Sequence, residues 1–333
     1  MKRLFALSLA LVMALSLTAC GGSKTPAAGS ASTSVASSAP TSAKPVDSAP
    51  VLTRGDQVSE DIKADDGTVA VIISYTPISI SYPANAEVEK AVQKDLDKVI
   101  ADFLKSARDY EEEAKTYYKE YLQSGGKAED FSPYVCSLDS KAIRQDTGVI
   151  STLFSSYAFT GGAHGGLITF ARNYDAKTGK VLTMKDLGEG VSTLAIDNVV
   201  KFVDAIQKDG DAFFYDKVKA DDESVQSMLE TGNFYLSKDG LVLIDGQYLL
   251  QPYAAGIAEF TTSYDDLKGK LEEAYALTGG VTSCMGVETT YTFDKDGKLV
   301  STKTSYDPAV LNDGESNTNT AQDAADGSVS ASN

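Results

Sequence analysis

The 333-residue chain has no tryptophan, one histidine and three cysteines, and its 30 lysines and arginines are outnumbered by 47 aspartates and glutamates. Each scarcity excludes a class of function. Without a basic surface nothing displaces counterions from a phosphate backbone, which argues against a nucleic-acid partner. One histidine and three cysteines cannot furnish a His-rich or Cys-cluster metal site, nor a Ser-His-Asp scheme with a histidine to spare. No stretch approaches the ~18 consecutive apolar residues of a membrane-spanning helix. The length suggests about two domains at ~150 residues each, but the two ends are too poor in apolar residues to fold.

What is present begins with an export signal over residues 1–19. Lys2 and Arg3 are its only charges, and Leu4 to Leu17 is apolar apart from serines. That run is too short to cross a ~30 Å hydrocarbon core. It ends in Leu17-Thr-Ala-Cys-Gly21, which resembles the lipobox of bacterial lipoproteins, so Cys20 is expected to be lipidated and to begin the mature chain. The acyl chains would then hold the protein on the outer side of the cell membrane. Without the signal the charge is about −19, from the balance of 28 basic against 47 acidic residues. Residues 20–50 read as a tether, because 25 of positions 21–50 are Ala, Ser, Thr, Pro or Gly and none is aromatic. Such a segment buries too little apolar surface to offset its ordering entropy, and as a flexible coil it spans roughly 30 Å. Residues 311–333, with Asp313, Glu315, Asp323 and Asp326, form an acidic tail.

Between these ends the pattern is mixed. Thr68 to Tyr75, running on to Ile80, is β-branched and reads as a strand. Val88, Val92, Leu96, Val99, Phe103, Ala107, Tyr110, Ala114, Tyr117 and Tyr121 step by threes and fours, the signature of one long helix. Such a helix would measure ~60 Å, far beyond the ~18 Å radius of gyration of a 260-residue domain, so a break is expected between Arg108 and Glu113. Alternation over Tyr134–Leu138, Val149–Ala158 and Leu167–Ala171 predicts antiparallel strands. Val191 to Gln207 is helical by spacing. Phe234 to Ile244 reads as a hairpin turning at Lys238–Gly240, Gly256 to Tyr264 as a strand, and Glu288 to Thr304 as a last hairpin turning at Asp294–Gly297. No βαβ rhythm repeats. The expected fold is α+β, with antiparallel sheets, packed helices and one long N-terminal helix.

Three features are candidates for function. The loop Thr160-Gly-Gly-Ala-His-Gly-Gly166 surrounds the sole histidine with glycine, and Gly161, Gly162, His164 and Gly165 could let the backbone approach a ligand closely. It lacks the lysine of a phosphate loop. Cys136 and Cys284 remain after lipidation and are either a disulfide, which export permits, or two buried thiols. The turns at Asp239-Gly240 and Asp296-Gly297 lack the spaced acidic ladder of a calcium loop. No metal, cofactor or catalytic residue is therefore assigned.

The stretches Thr160 to Gly165, Asn173 to Lys180, Leu182 to Leu187, Phe234 to Leu241 and Tyr248 to Ile257 together resemble DUF3298, a bacterial family of unknown function. Residues 68–160 resemble its partner domain, DUF4163. Similar pairs occur in the extracytoplasmic part of a lysozyme-binding anti-sigma factor and ahead of the catalytic domain of a peptidoglycan deacetylase. The resemblance implies a DUF4163-like domain over 51–160, a DUF3298-like domain over 161–275 and a C-terminal hairpin over 276–310. It also implies a non-enzymatic binding or sensing module for peptidoglycan or for a cationic wall-directed protein such as lysozyme, which the acidic surface would attract. The competing expectation is a cell-wall hydrolase using paired carboxylates, although no acidic spacing selects such a pair.

Overall fold

The computed structural model describes residues 49–207, 218–277, 282–293 and 299–311, with the final two strands described by their backbone. Residues 1–48 with Cys20, the Asp296-Gly297 turn and the acidic tail past Leu311 lie outside them.

Strands β1 (Val51–Arg54), β2 (Val58–Lys63), β3 (Val69–Tyr75) and β4 (Ile78–Ser81) come first. The expected strand to Ile80 is thus two, broken at Thr76-Pro77, where proline has no N–H for a ladder. Helices α1 (Ala86–Arg108) and α2 (Glu111–Gln123) replace the single long helix, with the break inside the expected window. The Asn85 side chain accepts from the Val88 N–H at 3.3 Å, Glu87 and Glu89 sit in the first turn of α1, and Lys105 and Arg108 in its last, as the helix dipole favours. The predicted stripe is the buried one: Val88, Val92, Leu96, Val99 and Ala107 on α1, then Ala114 and Tyr118 on α2. Tyr118 ties α2 to the β2–β3 turn by donating to Asp66 at 2.6 Å, a bond that lowers the Asp66 pKa.

Strands β5 (Tyr134–Gln145), β6 (Val149–Phe159) and β7 (Gly166–Asp175) follow as a meander. Together with β2, β3 and two later strands they form a mixed seven-stranded sheet. β3 and β5 run parallel, and the α1–α2 connection is the crossover that a parallel pair requires. Its remaining pairings are antiparallel. The expected division at residue 160 falls between β6 and β7, which pair from Ala158↔Gly166 to Val149↔Asp175.

Helix α3 (Val191–Gln207) and the short α4 (Glu223–Gln226) lead to β8 (Phe234–Leu236), β9 (Gly240–Ile244) and β10 (Glu259–Ser263), which form a second, antiparallel sheet in the order β10-β9-β8. The β8–β9 turn is the expected one, with the Ser237 hydroxyl accepting from the N–H groups of Asp239 and Gly240. The short α5 (Tyr264–Leu267) is capped by Ser263. A last hairpin, β11 (Thr282–Phe293) and β12 (Leu299–Leu311), joins the first sheet at Ser283↔Gln145 and Cys284↔Arg144.

The meander is buried on both faces. Phe154 and Ile150 pack under α1 with Val92, Leu96 and Val99. Leu153, Ile143 and Ala171 point the other way and meet Tyr235, Val242 and Ile244 of the second sheet. This period-two sorting of one strand into two cores sets the second sheet against the β7 side of the first. Among the described residues no helix is long and apolar enough to cross a membrane.

Candidate ligand site

The glycine-rich loop joins β6 to β7 and is held open by backbone that side chains disfavour. Gly161 and Gly162 have φ of 90° and 87°. A Cβ on Gly165 would lie 2.5 Å from the Tyr157 ring, so a larger residue there would have to displace that ring. The loop delivers His164 to the surface, where its ring stacks on Tyr253 with centroids 3.9 Å apart and planes 20° apart. The Tyr248 hydroxyl lies 3.1 Å from His164 Nε2, and the Tyr248 ring stands 5.9 Å from that of Tyr253. Tyr248 is 48% exposed. Its φ of 67° is the only positive value at a described non-glycine residue, a conformation costing about 1–2 kcal/mol.

Chain neighbours of these rings help line a partly open cavity of about 390 Å³ between β7 and the turn that follows β9; its walls include Leu167, Thr169, Ile244, Asp245, Gln247 and Leu249. Gln247 closes one end, its Oε1 accepting from the Leu167 N–H at 3.2 Å. Asp245 is 1% exposed, and neither carboxyl oxygen has a hydrogen-bond partner among the described residues. Burial pushes its pKa up to about 8; the N–H groups of Leu250 and Gly246 offset this only in part, lying near the carboxyl without bonds of normal geometry. The acid is therefore neutral at pH 7. Among the described residues it is also the one ionisable side chain lining the cavity.

Of the predicted site residues, the structure gathers Gly161, Gly162, His164 and Gly165 into one loop against Tyr248 and Tyr253. Asp245 and Gln247 were not singled out from the sequence. The local signal was an acidic residue directly after the apolar run Leu241–Ile244, but Asp-Gly is equally an ordinary turn pair.

The disulfide alternative is corrected. Cys136 is a free thiol, 2% exposed, and burial raises its pKa. The side chain of Cys284 lies outside the described residues, yet its backbone pairs with Arg144, eight residues along β5 from Cys136. At ~3.3 Å per residue the two α-carbons are about 26 Å apart, whereas a bridge needs about 4.4–6.8 Å.

The tyrosines of α2 are partly core and partly surface. Tyr118 is buried and Tyr117 is 39% exposed, and both pack on Phe131. A shallow recess of about 450 Å³ there is lined by Glu112, Glu113, Glu120, Tyr117 and Tyr134. Among the described residues no group of three or more His, Cys, Asp or Glu side chains converges as metal ligands would.

Comparison with known proteins matches two segments of this fold. Residues 73–166 match the family model described as Deacetylase PdaC. Residues 193–265 match that of DUF3298, a protein family of unknown function. The chain thus carries a segment similar to the PdaC model followed by one similar to the DUF3298 model, and the second contains the β8–β10 sheet and the Asp245–Leu249 side of the cavity. No curated protein matches the chain. Among solved structures, a DUF3298-family protein from Bacteroides fragilis is 17% identical with a TM-score of 0.49, covering 68% of this chain and 94% of its own. Another, from Pseudomonas aeruginosa, is 17% identical with a TM-score of 0.44, covering 70% and 99%.

Proposed function

We propose that the chain is a lipid-anchored binding module of the cell envelope that holds a wall glycan without cleaving it. The observation that carries this reading is the group of three rings, His164, Tyr248 and Tyr253, on the loop and turn whose Gly166, Gln247 and Leu249 line a largely apolar cavity. Flat, half-exposed rings suit the apolar faces of sugar rings, and the Gln247 carboxamide and neutral Asp245 suit their polar substituents. Hydrolysis by paired carboxylates needs a second carboxyl about 5–9.5 Å from the first, and Asp245 has none beside it in the cavity wall. That favours binding over cleavage.

The test is retention of the full chain on purified peptidoglycan in low-salt buffer. Tyr253→Ala should weaken retention about tenfold, the loss of roughly one stacked ring pair, with the melting temperature little changed. If the unsubstituted protein is not retained at all, the glycan reading is wrong. A cationic protein such as lysozyme is the second reading, favoured by the recess of Glu112, Glu113 and Glu120 around Tyr117. Binding to lysozyme in place of peptidoglycan, falling steeply with salt, would select it.

Anchoring rests on Cys20. Cys20→Ala should move the protein from the membrane pellet to the medium without changing its melting curve. The acyl chains are the expected apolar contact with lipid, and a charge of about −19 is repelled by anionic headgroups. Retention of the Cys20→Ala protein in the pellet would remove the lipoprotein reading.

A further inference from the structure

One wall of the cavity is the open edge of a sheet. β7 pairs with β6 along one side, and in an antiparallel pair alternate residues turn their backbone groups toward the partner and away from it. The Leu167 N–H goes outward to Gln247 Oε1 and the Ala171 N–H outward to the Gly232 carbonyl. Thr169, midway between them, must point the same way. It lines the cavity, and among the described residues its N–H meets no acceptor. Gln247, at the next outward position, puts a carboxamide where the peptide group of a neighbouring strand would lie. Beneath the same cavity is the buried carboxyl of Asp245, without a hydrogen bond of normal geometry, a polar group kept at a cost that the nearby Leu250 and Gly246 N–H groups offset only in part. The remaining walls are largely apolar, with Leu167, Ile244 and Leu249 beside the polar Ser156 and Asn233.

We infer that this slot takes the acetamido group of an N-acetylated sugar, paired to the Thr169 edge as the peptide group of an added strand would be. A secondary amide presents its carbonyl on one side and its N–H on the other, as each peptide group of an added strand does, so its carbonyl can face the strand edge. The Thr169 N–H donates to the acetamido carbonyl, and the acetamido N–H, trans to that carbonyl, points away from the strand edge. The methyl group rests on the apolar walls, and the sugar ring lies toward Tyr248. The inference rests on the glycan reading and names the group that the site selects.

Charge follows the same logic. Asp245 is neutral at pH 7, so the slot is uncharged and matches a neutral amide. Of the other ionisable groups nearby, Glu259 on the adjacent strand is held by the Tyr235 hydroxyl, and His164 lies beyond Tyr248. Above pH 8 the carboxylate form of Asp245 leaves a buried charge that an acetamido group cannot neutralise, and affinity falls.

Calorimetry on the full chain tests this with three probes: tri-N-acetylglucosamine, its fully deacetylated counterpart, and a blocked trialanine peptide. The acetylated trisaccharide should bind at least about tenfold more tightly than the deacetylated one, the effect of an unmade hydrogen bond and an unburied methyl group, and the peptide should not bind. Affinity for the acetylated sugar should drop between pH 7 and pH 9, and D245N should abolish that drop. Thr169→Pro removes the outward N–H without costing a ladder bond and should weaken binding about tenfold; should it fail to fold, Leu249→Trp fills the slot to the same effect. Equal affinity for the two trisaccharides would overturn the inference and leave the glycan reading standing. Binding of neither would remove both, and preference for the peptide would make the edge a strand-addition site instead.

Discussion

Asp245→Asn should stabilise the protein by about 3–5 kcal/mol at pH 8 and hardly change it at pH 4. The carboxyl is 1% exposed and its oxygens have no partners among the described residues, so burial alone raises its pKa from 3.8 to about 8. The folded state therefore holds a proton that the unfolded chain has lost. A raised folded pKa contributes stability that is complete below pH ~4 and drains away at about 1.4 kcal/mol per unit until pH ~8. Asparagine keeps the shape and one polar pair but has no proton to lose. Urea melts of the two proteins should show their gap widening by about 3–4 kcal/mol between pH 5 and pH 8, with the many exposed carboxylates cancelling in the difference. A gap independent of pH would mean that the carboxyl finds a partner or water in solution. A residue whose removal stabilises the fold is retained for something else, which is why Asp245 is grouped with the candidate ligand site.

The parts of this architecture that were legible in the sequence are those set by local periodicity. The helix expected over Val191–Gln207 is α3 with those bounds, and the break in the long stripe falls at Asp109-Tyr110, where a charged run begins. The meander and the β8–β9 hairpin were visible as alternation and turn chemistry. The parallel pairing of β3 with β5 was not, because Val71 and Tyr134 meet only after two helices have folded across the sheet. The site divides in the same way. Glycines at positive φ marked the His164 loop from the sequence, since the backbone requirement is local. Its partners Tyr248 and Tyr253 lie more than 80 residues further on and are joined to it only by the docking of the second sheet. Nothing in Ile244-Asp-Gly distinguishes a buried neutral acid from a turn residue, because burial is decided by β7 packing over it.

Arg144→Met should cost about 3–5 kcal/mol, lowering the melting temperature by roughly 10 °C. Arg144 is next to last in β5 and is 1% exposed. Its Nε donates to Asp146 at 2.5 Å, Nη1 to the Tyr264 hydroxyl at 2.9 Å and to the Tyr275 carbonyl at 2.8 Å, and Nη2 to the Ala276 carbonyl at 3.1 Å. Tyr264 in turn donates to the Ser237 carbonyl at 2.8 Å. One guanidinium thus joins the first sheet to α5, to the β8–β9 turn and to the segment before β11. A lysine could not serve all of these, since a single ammonium lacks the planar fork that reaches several acceptors at once. Methionine fills much of the volume but leaves Asp146 buried and unpaired and frees two carbonyls, the arrangement in which breaking a buried pair is most costly. Asp146 also caps the N–H groups of Gly148 and Val149 with its other oxygen. Adding D146N to the methionine variant should therefore recover part of the loss, by removing the stranded charge while an oxygen remains for those two donors. Hydrogen exchange should show the loosening concentrated in residues 264–276, which Arg144 holds directly. A loss below about 1 kcal/mol, or exchange spread evenly over the chain, would show that the two sheets are joined by apolar contact through Leu153 and Val242 and that the guanidinium is incidental.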